Sequence, residues 1–225
     1  HGVKMISILL LNLAVVFGCC LLLWLVSLIR RDVSIVDIFW GTGFVIIAWI
    51  TLLSSESQTT RSFAIVAMAT LWGLRLSLYL AWRNLGKPED YRYAAMREKH
   101  GARFPWVSLY FVFGLQGMLM WIISMPIQVS LASPVGWAAN VWLGLIATAV
   151  GICFEAIGDW QLACFKAEPE NRGKVLNTGL WRYTRHPNYF GDFMVWWGIY
   201  LMAMSSVSYW TIFSPIIMTV LLMRV

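Results

Sequence analysis

The segment TGLWRYTRHPNYFGDFMVWWG, Thr178 to Gly198, begins as a solvated loop and ends as a membrane helix. Arg182, Arg185, His186, Asn188 and Asp192 crowd its first half, directly against apolar sequence. The chain around it has 225 residues, is 60% hydrophobic and only 12% charged. Its mean hydropathy is +0.69. Soluble globular domains carry about twice that share of charge, so lipid is the expected solvent.

Apolar runs of roughly 20 residues, enough to cross about 30 Å of hydrocarbon, recur along the whole chain. They predict spans near 5–28, 33–54, 62–82, 105–128, 136–161, 188–206 and 208–224. The expected fold is all-α: one polytopic membrane domain of about seven transmembrane helices. The first run is too long and Leu-rich for a signal-peptide core, so it is expected to stay as a helix. No internal repeat, linker or separate soluble domain is read from the pattern.

The formal net charge of +6 does not point to nucleic acid, because its distribution follows topology. Arg30, Arg31, the six cations from Arg83 to Arg103, the five from Lys166 to Arg185, and Arg224 all fall on one side. Lys4 and Arg61 alone fall on the other. This is a positive-inside pattern that predicts the N-terminus outside and the C-terminus in the cytoplasm. The segments 83–104 and 162–187 are also long and polar, which marks the cytoplasmic face as the entrance for a soluble, anionic ligand.

Ionisable side chains inside the spans cost about 2.5–3.5 kcal/mol each on insertion scales and are functional candidates by default. Asp37 stands in SIVDIFWG and Arg75 in LWGLRLSLY. Glu155 and Asp159, four apart in FEAIGDWQ, share one helix face, and Asn188 and Asp192 repeat that spacing. Together with Gln161, Lys166 and Tyr183 they predict a polar cavity between helices. Its carboxylates suit ribose hydroxyls or amide N–H groups, and its basic rim suits phosphates. A simpler reading is an ion-pair network that locks helices together, for example Asp37 with Arg75. The four cysteines have no C-x-x-C or histidine spacing, read as small buried apolar residues, and predict neither metal site nor disulfide. Most of the 14 tryptophans read as interface belt and packing. No Rossmann, P-loop, nucleophile-elbow or zincin motif is present.

The run from Phe154 to Gly198, with SIVDIFWG, WGLRLSLYLAWRNLGKPEDYRY and RFPWVSLYFVFGLQG, resembles the membrane steroid 5α-reductase superfamily. Within it the similarity is to the bacterial branch known as DUF1295, and it extends from about Ser34 onward. The R-H-P-N-Y-x-G-D stretch carries the likeness; isoprenylcysteine carboxyl methyltransferases share its R-H-P-x-Y-x-G part. The resemblance implies a seven-span enzyme of the bacterial inner membrane that uses NADPH to reduce an activated C=C bond of a lipid or steroid-like enone. Carried over, Asp159, Asn188 and Asp192 match cofactor-holding positions, and Glu155 a polar cofactor contact. Lys166 and Lys174 fall near the cofactor phosphates, with Tyr183, Arg185 and His186 at the same lip. Arg75, Arg83 and Lys87 match a basic region that also meets cofactor.

Two departures accompany the likeness. Steroid reductases carry a Gln-Glu pair in the second span and a tyrosine in the third, where this chain has Asp37-Ile38 and Trp72. Relatives also continue with a basic helix and tail that complete the cofactor site. Asp37 and Arg75 are the expected catalytic pair: Asp37 either donates a proton to a substrate carbonyl or pairs with Arg75. The alternative cofactor is S-adenosylmethionine in a methyltransferase, and a third reading is a non-enzymatic lipid-binding protein. The expected partners are a lipid substrate and membrane lipids.

Overall fold

The computed structural model describes residues 2–133 and 135–223, so Arg224, the last position of the seventh expected span, lies outside the described residues. Among them the chain is all-helical, without a strand. It runs through α1 (Gly2–Arg30), α2 (Ile35–Ser54), α3 (Thr60–Asn84) and α4 (Tyr91–His100). The next segment is α5 (Phe104–Ser108), a π-helical turn (Leu109–Gly114) and α6 (Leu115–Ile123). Then come α7 (Met125–Leu131), α8 (Ala139–Ala167), α9 (Pro187–Ala203) and α10 (Phe213–Met223).

Five segments are long and apolar enough to cross a membrane: Gly2–Arg30, Ile35–Ser54, Thr60–Asn84, Tyr91–Ile123 and Ala139–Ala167. The sixth and seventh expected spans form shorter helices, α9 with 17 residues and α10 with 11. The polar segment 83–104 is not merely a connection. Asp90 caps it, its carboxylate accepting the Arg92 amide, and Gly101, with φ of 51°, ends it, so α4 forms between them.

Backbone-to-backbone packing of α8 on α9 organises the bundle. Glycines recur every seventh residue on both helices, Gly144, Gly151 and Gly158 on α8, Gly191 and Gly198 on α9. Run antiparallel, Gly144 meets Gly198 and Gly151 meets Gly191. A Cβ on Gly151 would lie 2.5 Å from the Gly191 carbonyl oxygen. In lipid the drive for such contacts is dispersion, which small residues maximise by admitting close approach. Gly41 and Gly73 make the equivalent crossing between α2 and α3. Phe44, Trp72 and Trp196 fill the centre where these two pairs meet, with ring centroids 4.6–5.6 Å apart. Trp72 and Trp196 are therefore core residues rather than interface belt. Of the cysteines, Cys20 is buried, whereas Cys153 and Cys164 face outward, unlike the buried role read from sequence.

Polar staples hold the periphery. Asn12 of α1 donates to the Thr51 hydroxyl at 2.8 Å and to the Gln128 side-chain oxygen at 2.9 Å, fully buried. Arg61, also buried, donates to the carbonyls of Met202 at 2.7 Å and Met204 at 2.9 Å and so caps the last turn of α9. Glu89 accepts the Val33 amide at 2.8 Å and a two-pronged contact from Arg97 at 2.7 and 2.9 Å. The Arg97 guanidinium lies over the Phe104 ring at 4.3 Å.

Two predictions concern this architecture. Gly151→Ala and Gly191→Ala should lose about 1–3 kcal/mol or more of stability through overpacking. Gly158→Ala, whose nearest clash is 3.2 Å from the Pro187 ring, should lose less. Thermal unfolding in detergent ranks the three. Glu89 supplies the second: burial pushes its carboxyl up, but Arg97 and the Val33 amide outweigh that and leave it below the ordinary carboxylate range. Its stabilisation is therefore full at neutral pH and is lost as pH falls through that lowered value. Glu89→Gln should cost about 1.5–3 kcal/mol at pH 7 and progressively less toward pH 3.

Candidate functional site

Because Gly151 and Gly191 let α8 and α9 touch, the acids of one helix lie directly against the polar turn of the other. A Cβ on Gly191 would meet the Glu155 side chain at 2.7 Å. Glu155 and Asp159, both buried, point at Arg75 of α3. The Arg75 guanidinium pairs with Glu155 and donates to Asp159 Oδ2 at 2.7 Å. Trp72 Nε1 donates to the remaining Glu155 oxygen at 3.0 Å, and Asn188 Nδ2 to Asp159 Oδ1 at 3.2 Å. Arg75 does not pair with Asp37, so the ion-pair alternative for those two is replaced by a triad joining α3 and α8.

Asp192 completes this wall. It lies one helical turn beyond Asn188, and its Oδ1 is buried without a hydrogen-bond partner. Three carboxylates thus face a single guanidinium, and one carboxylate oxygen is left buried without a donor. A buried unpaired acceptor costs about 1–3 kcal/mol or more, a penalty that a donor-bearing ligand would relieve.

The wall borders a cavity of about 430 Å³, in the range of small-molecule and cofactor sites. Seven of the sequence-predicted residues line it: Asp37, Arg75, Arg83, Glu155, Asp159, Asn188 and Asp192. Trp40, Leu76, Leu119 and Leu222 supply its apolar surface. Opposite the acids, Asp37 accepts the Tyr93 hydroxyl at 2.7 Å, Gln116 Nε2 at 3.2 Å and Arg92 at 3.2 Å. This second cluster joins α2, α4 and α6, and sequence reading missed all three partners. Tyr93 reaches it because α4 is helical, and Gln116 because the π-turn just before it resets the phase of its helix.

The remaining predicted residues stand outside that cavity. Arg83 also borders a smaller cavity of about 280 Å³ with Tyr79, Lys87 and Lys166. Lys166 in turn joins Lys174, Arg185 and His186 around a third, of about 780 Å³. The three cavities are neighbours, the first two sharing Tyr79 and Arg83 as walls and the last two Leu162 and Lys166, so a basic lip lies beside the acidic end of the site. Tyr183 is 82% exposed and lines none of these three cavities. Gln161, expected at the ligand, anchors the loop instead: its Oε1 accepts the Leu180 amide at 3.0 Å, while Trp181 Nε1 donates to the Gly158 carbonyl at 3.1 Å. Gly179, with φ of 61°, is needed there because any side chain would strike Gln161.

Charge arithmetic separates the roles of Arg75 and Asp192. Arg75→Leu strands two buried carboxylates and should cost about 3–5 kcal/mol. Asp192→Asn removes an acid that has no partner at one oxygen and should leave the thermal midpoint unchanged or raise it. Unfolding of both variants in the same detergent checks the contrast.

Comparisons with known proteins agree with the extent of the helical domain. One curated relative is an uncharacterized protein of Schizosaccharomyces pombe (strain 972), 25% identical over 222 aligned positions. The alignment covers 85% of this chain and 64% of that protein, so the chain spans just under two thirds of its relative's length. No solved structure matches. Residues 23–225, from α1's second half through every wall of the cavity, match the family described as Protein of unknown function (DUF1295), and the chain belongs to that family.

Proposed function

We propose that the protein is an NADPH-dependent membrane reductase acting on the activated C=C bond of a lipid or steroid-like enone. The observation that carries this reading is the polarity of the neighbouring cavities, acidic and amide-rich at the buried end and basic at the lip. A dinucleotide has the complementary polarity. Its ribose hydroxyls and carboxamide N–H groups seek acceptors such as Asp159, Asn188 and the unpartnered Asp192 Oδ1, and its phosphates seek Arg83, Lys87, Lys166 and Lys174. The likeness of the R-H-P-N-Y-x-G-D stretch to membrane steroid 5α-reductases supports the same cofactor. In this reading α9 and α10 complete seven spans, the N-terminus lies outside, and the basic lip faces the cytoplasm across a bacterial inner membrane.

Asp159, Asn188 and Asp192 would hold a nicotinamide at the acidic end, where the cofactor would supply the hydride for the β-carbon of the enone. The chain does the rest. Arg75 fixes Glu155 and Asp159 so that these acceptors do not reorganise when a ligand binds. Across the cavity, Arg92 presents an N–H donor to the substrate carbonyl oxygen, where negative charge grows, while Gln116 spends its two N–H groups holding Asp37 and Tyr93. Asp37, on the same wall and ion-paired with Arg92 at rest, would first take up a proton from water beside the exposed Arg92 and then pass it to the α-carbon. Trp40, Leu76, Leu119 and Leu222 form the apolar surface on which a lipid substrate rests.

One observation favours a second reading: three carboxylates against one guanidinium suit a cationic cofactor, as in an S-adenosylmethionine-dependent methyltransferase. The basic lip has no use for that phosphate-free cofactor, which places the reductase first. Calorimetric titration of detergent-solubilised protein with NADPH, NADH and S-adenosylmethionine separates the two. NADPH should bind in the micromolar range or tighter, and Asp159→Ala and Asn188→Ala should each weaken it at least about tenfold, the loss of one charge-assisted hydrogen bond. Binding of S-adenosylmethionine alone supports the methyltransferase, and binding of none of the three supports a non-enzymatic lipid-binding role.

A further inference from the structure

A separate polar cavity of about 420 Å³ opens where α1 ends, α2 begins and the α3–α4 connection passes. Arg30, Arg31 and Lys87 line it together with Asp32, Ser34 and Glu89. The acids are already engaged. Asp32 accepts the Ser34 amide at 2.9 Å, and Glu89 is held by Arg97 and the Val33 amide. None of the three cations has an ion-pair partner among the described residues. The left-handed backbone of Arg31, φ 53°, turns the chain sharply here, and both arginines border the cavity.

Its surroundings are those of a membrane interface. Down α1 from the cavity runs an exposed apolar stripe, Leu22, Leu25 and Ile29, at 64%, 46% and 85% exposure. On the other flank α3 exposes Leu78 and Trp82, at 69% and 70%, and its C-cap Leu85 is exposed at 55%. Both stripes follow helical spacing, and both end at the level of the cations. Basic pockets between membrane helices on the positively charged side are favourable seats for anionic headgroups.

We propose that this cavity binds the phosphate headgroup of an anionic phospholipid, its acyl chains lying along the two apolar stripes. A phosphodiester with a second hydroxyl-bearing group fills the space between Arg30, Arg31 and Lys87, and Ser34 offers a hydroxyl to the same group. Lys87 also borders the small basic cavity next to Arg83, so an occupied headgroup site sets the position of a lysine at the lip of the candidate active site. The headgroup site itself stands whether the neighbouring cavity binds NADPH, S-adenosylmethionine or neither.

Native mass spectrometry of the full chain, released from micelles with equal phosphatidylglycerol and phosphatidylcholine, tests this. The wild type should retain phosphatidylglycerol preferentially, and Arg30→Gln/Arg31→Gln should reduce that retention about tenfold or more. Lys99→Gln/Arg103→Gln, which removes two cations from the same side outside the cavity, should keep it. Should the first variant fail to fold, Lys87→Gln alone should lower retention severalfold. Equal retention of the two lipids by the wild type overturns the proposal, as does an equal loss in the Lys99/Arg103 control. In a parallel thermal-shift titration, stabilisation by inorganic phosphate matching that by phosphatidylglycerol, and lost in Arg30→Gln/Arg31→Gln, overturns the lipid assignment in favour of a free anion.

Discussion

Two helices that touch backbone to backbone govern the rest of this molecule. With no side chain at Gly151 and Gly191, α8 and α9 approach until each glycine position lies against the carbonyl oxygen of the other. That distance sets what Glu155, Asp159, Asn188 and Asp192 can reach. A bundle spaced by ordinary side chains would leave the four polar groups in separate grooves, each needing its own partner in a medium that supplies none. Here they share one wall, and one guanidinium from α3 serves two carboxylates. The aromatic trio of Phe44, Trp72 and Trp196 sits where the α2–α3 and α8–α9 crossings meet, and Trp72 joins that core to the polar wall through its N–H to Glu155.

The charge balance of the site follows from this packing. Arg75 is buried enough that its bonds to Glu155 and Asp159 act in a low-dielectric setting, where orientation is held firmly. Asp192 adds an acid for which the protein offers no second cation nearby in that wall. The second cluster, Asp37 with Tyr93, Gln116 and Arg92, is organised differently: three donors converge on one carboxylate, and Arg92 leads outward to water. One side of the cavity is thus rigid and poor in protons to give, and the other is connected to solvent.

Much of this was legible in the chain because its signals are local. Apolar runs place the long helices, and the i, i+4 spacing of Glu155 with Asp159 and of Asn188 with Asp192 places each pair on one face. Arg75 announced itself as a cation in hydrocarbon. Which acid it meets was not legible, since Asp37 and Asp159 are equally plausible until the helix crossings are known. Tyr93 and Gln116 reach Asp37 across separations of 56 and 79 residues, and no local pattern joins them. Two signals were present in the sequence and went unread. The seven-residue glycine spacing of α8 and α9 marks their contact, and Asp90 with Gly101 brackets α4 as cap and stop. The expected sixth span is shorter than its apolar run because Arg61 takes the carbonyls of Met202 and Met204 and Asn140 those of Leu201 and Met204, which ends α9 there; the seventh opens as a 3-10 turn, Tyr209–Ile212, before α10 begins.

The buried amide of Asn12 bears on how such a chain is assembled. Its partners arrive at different times during synthesis, Thr51 after 39 residues and Gln128 after 116. Made before both, α1 therefore carries an unsatisfied amide until α2 follows, and reaches its final orientation only after α7 is made. Because much of α1 presents exposed leucine to lipid, that amide, with the Trp24 indole N–H that later meets the Pro105 carbonyl, is among the few polar cues that tell the helix which way to face, and when.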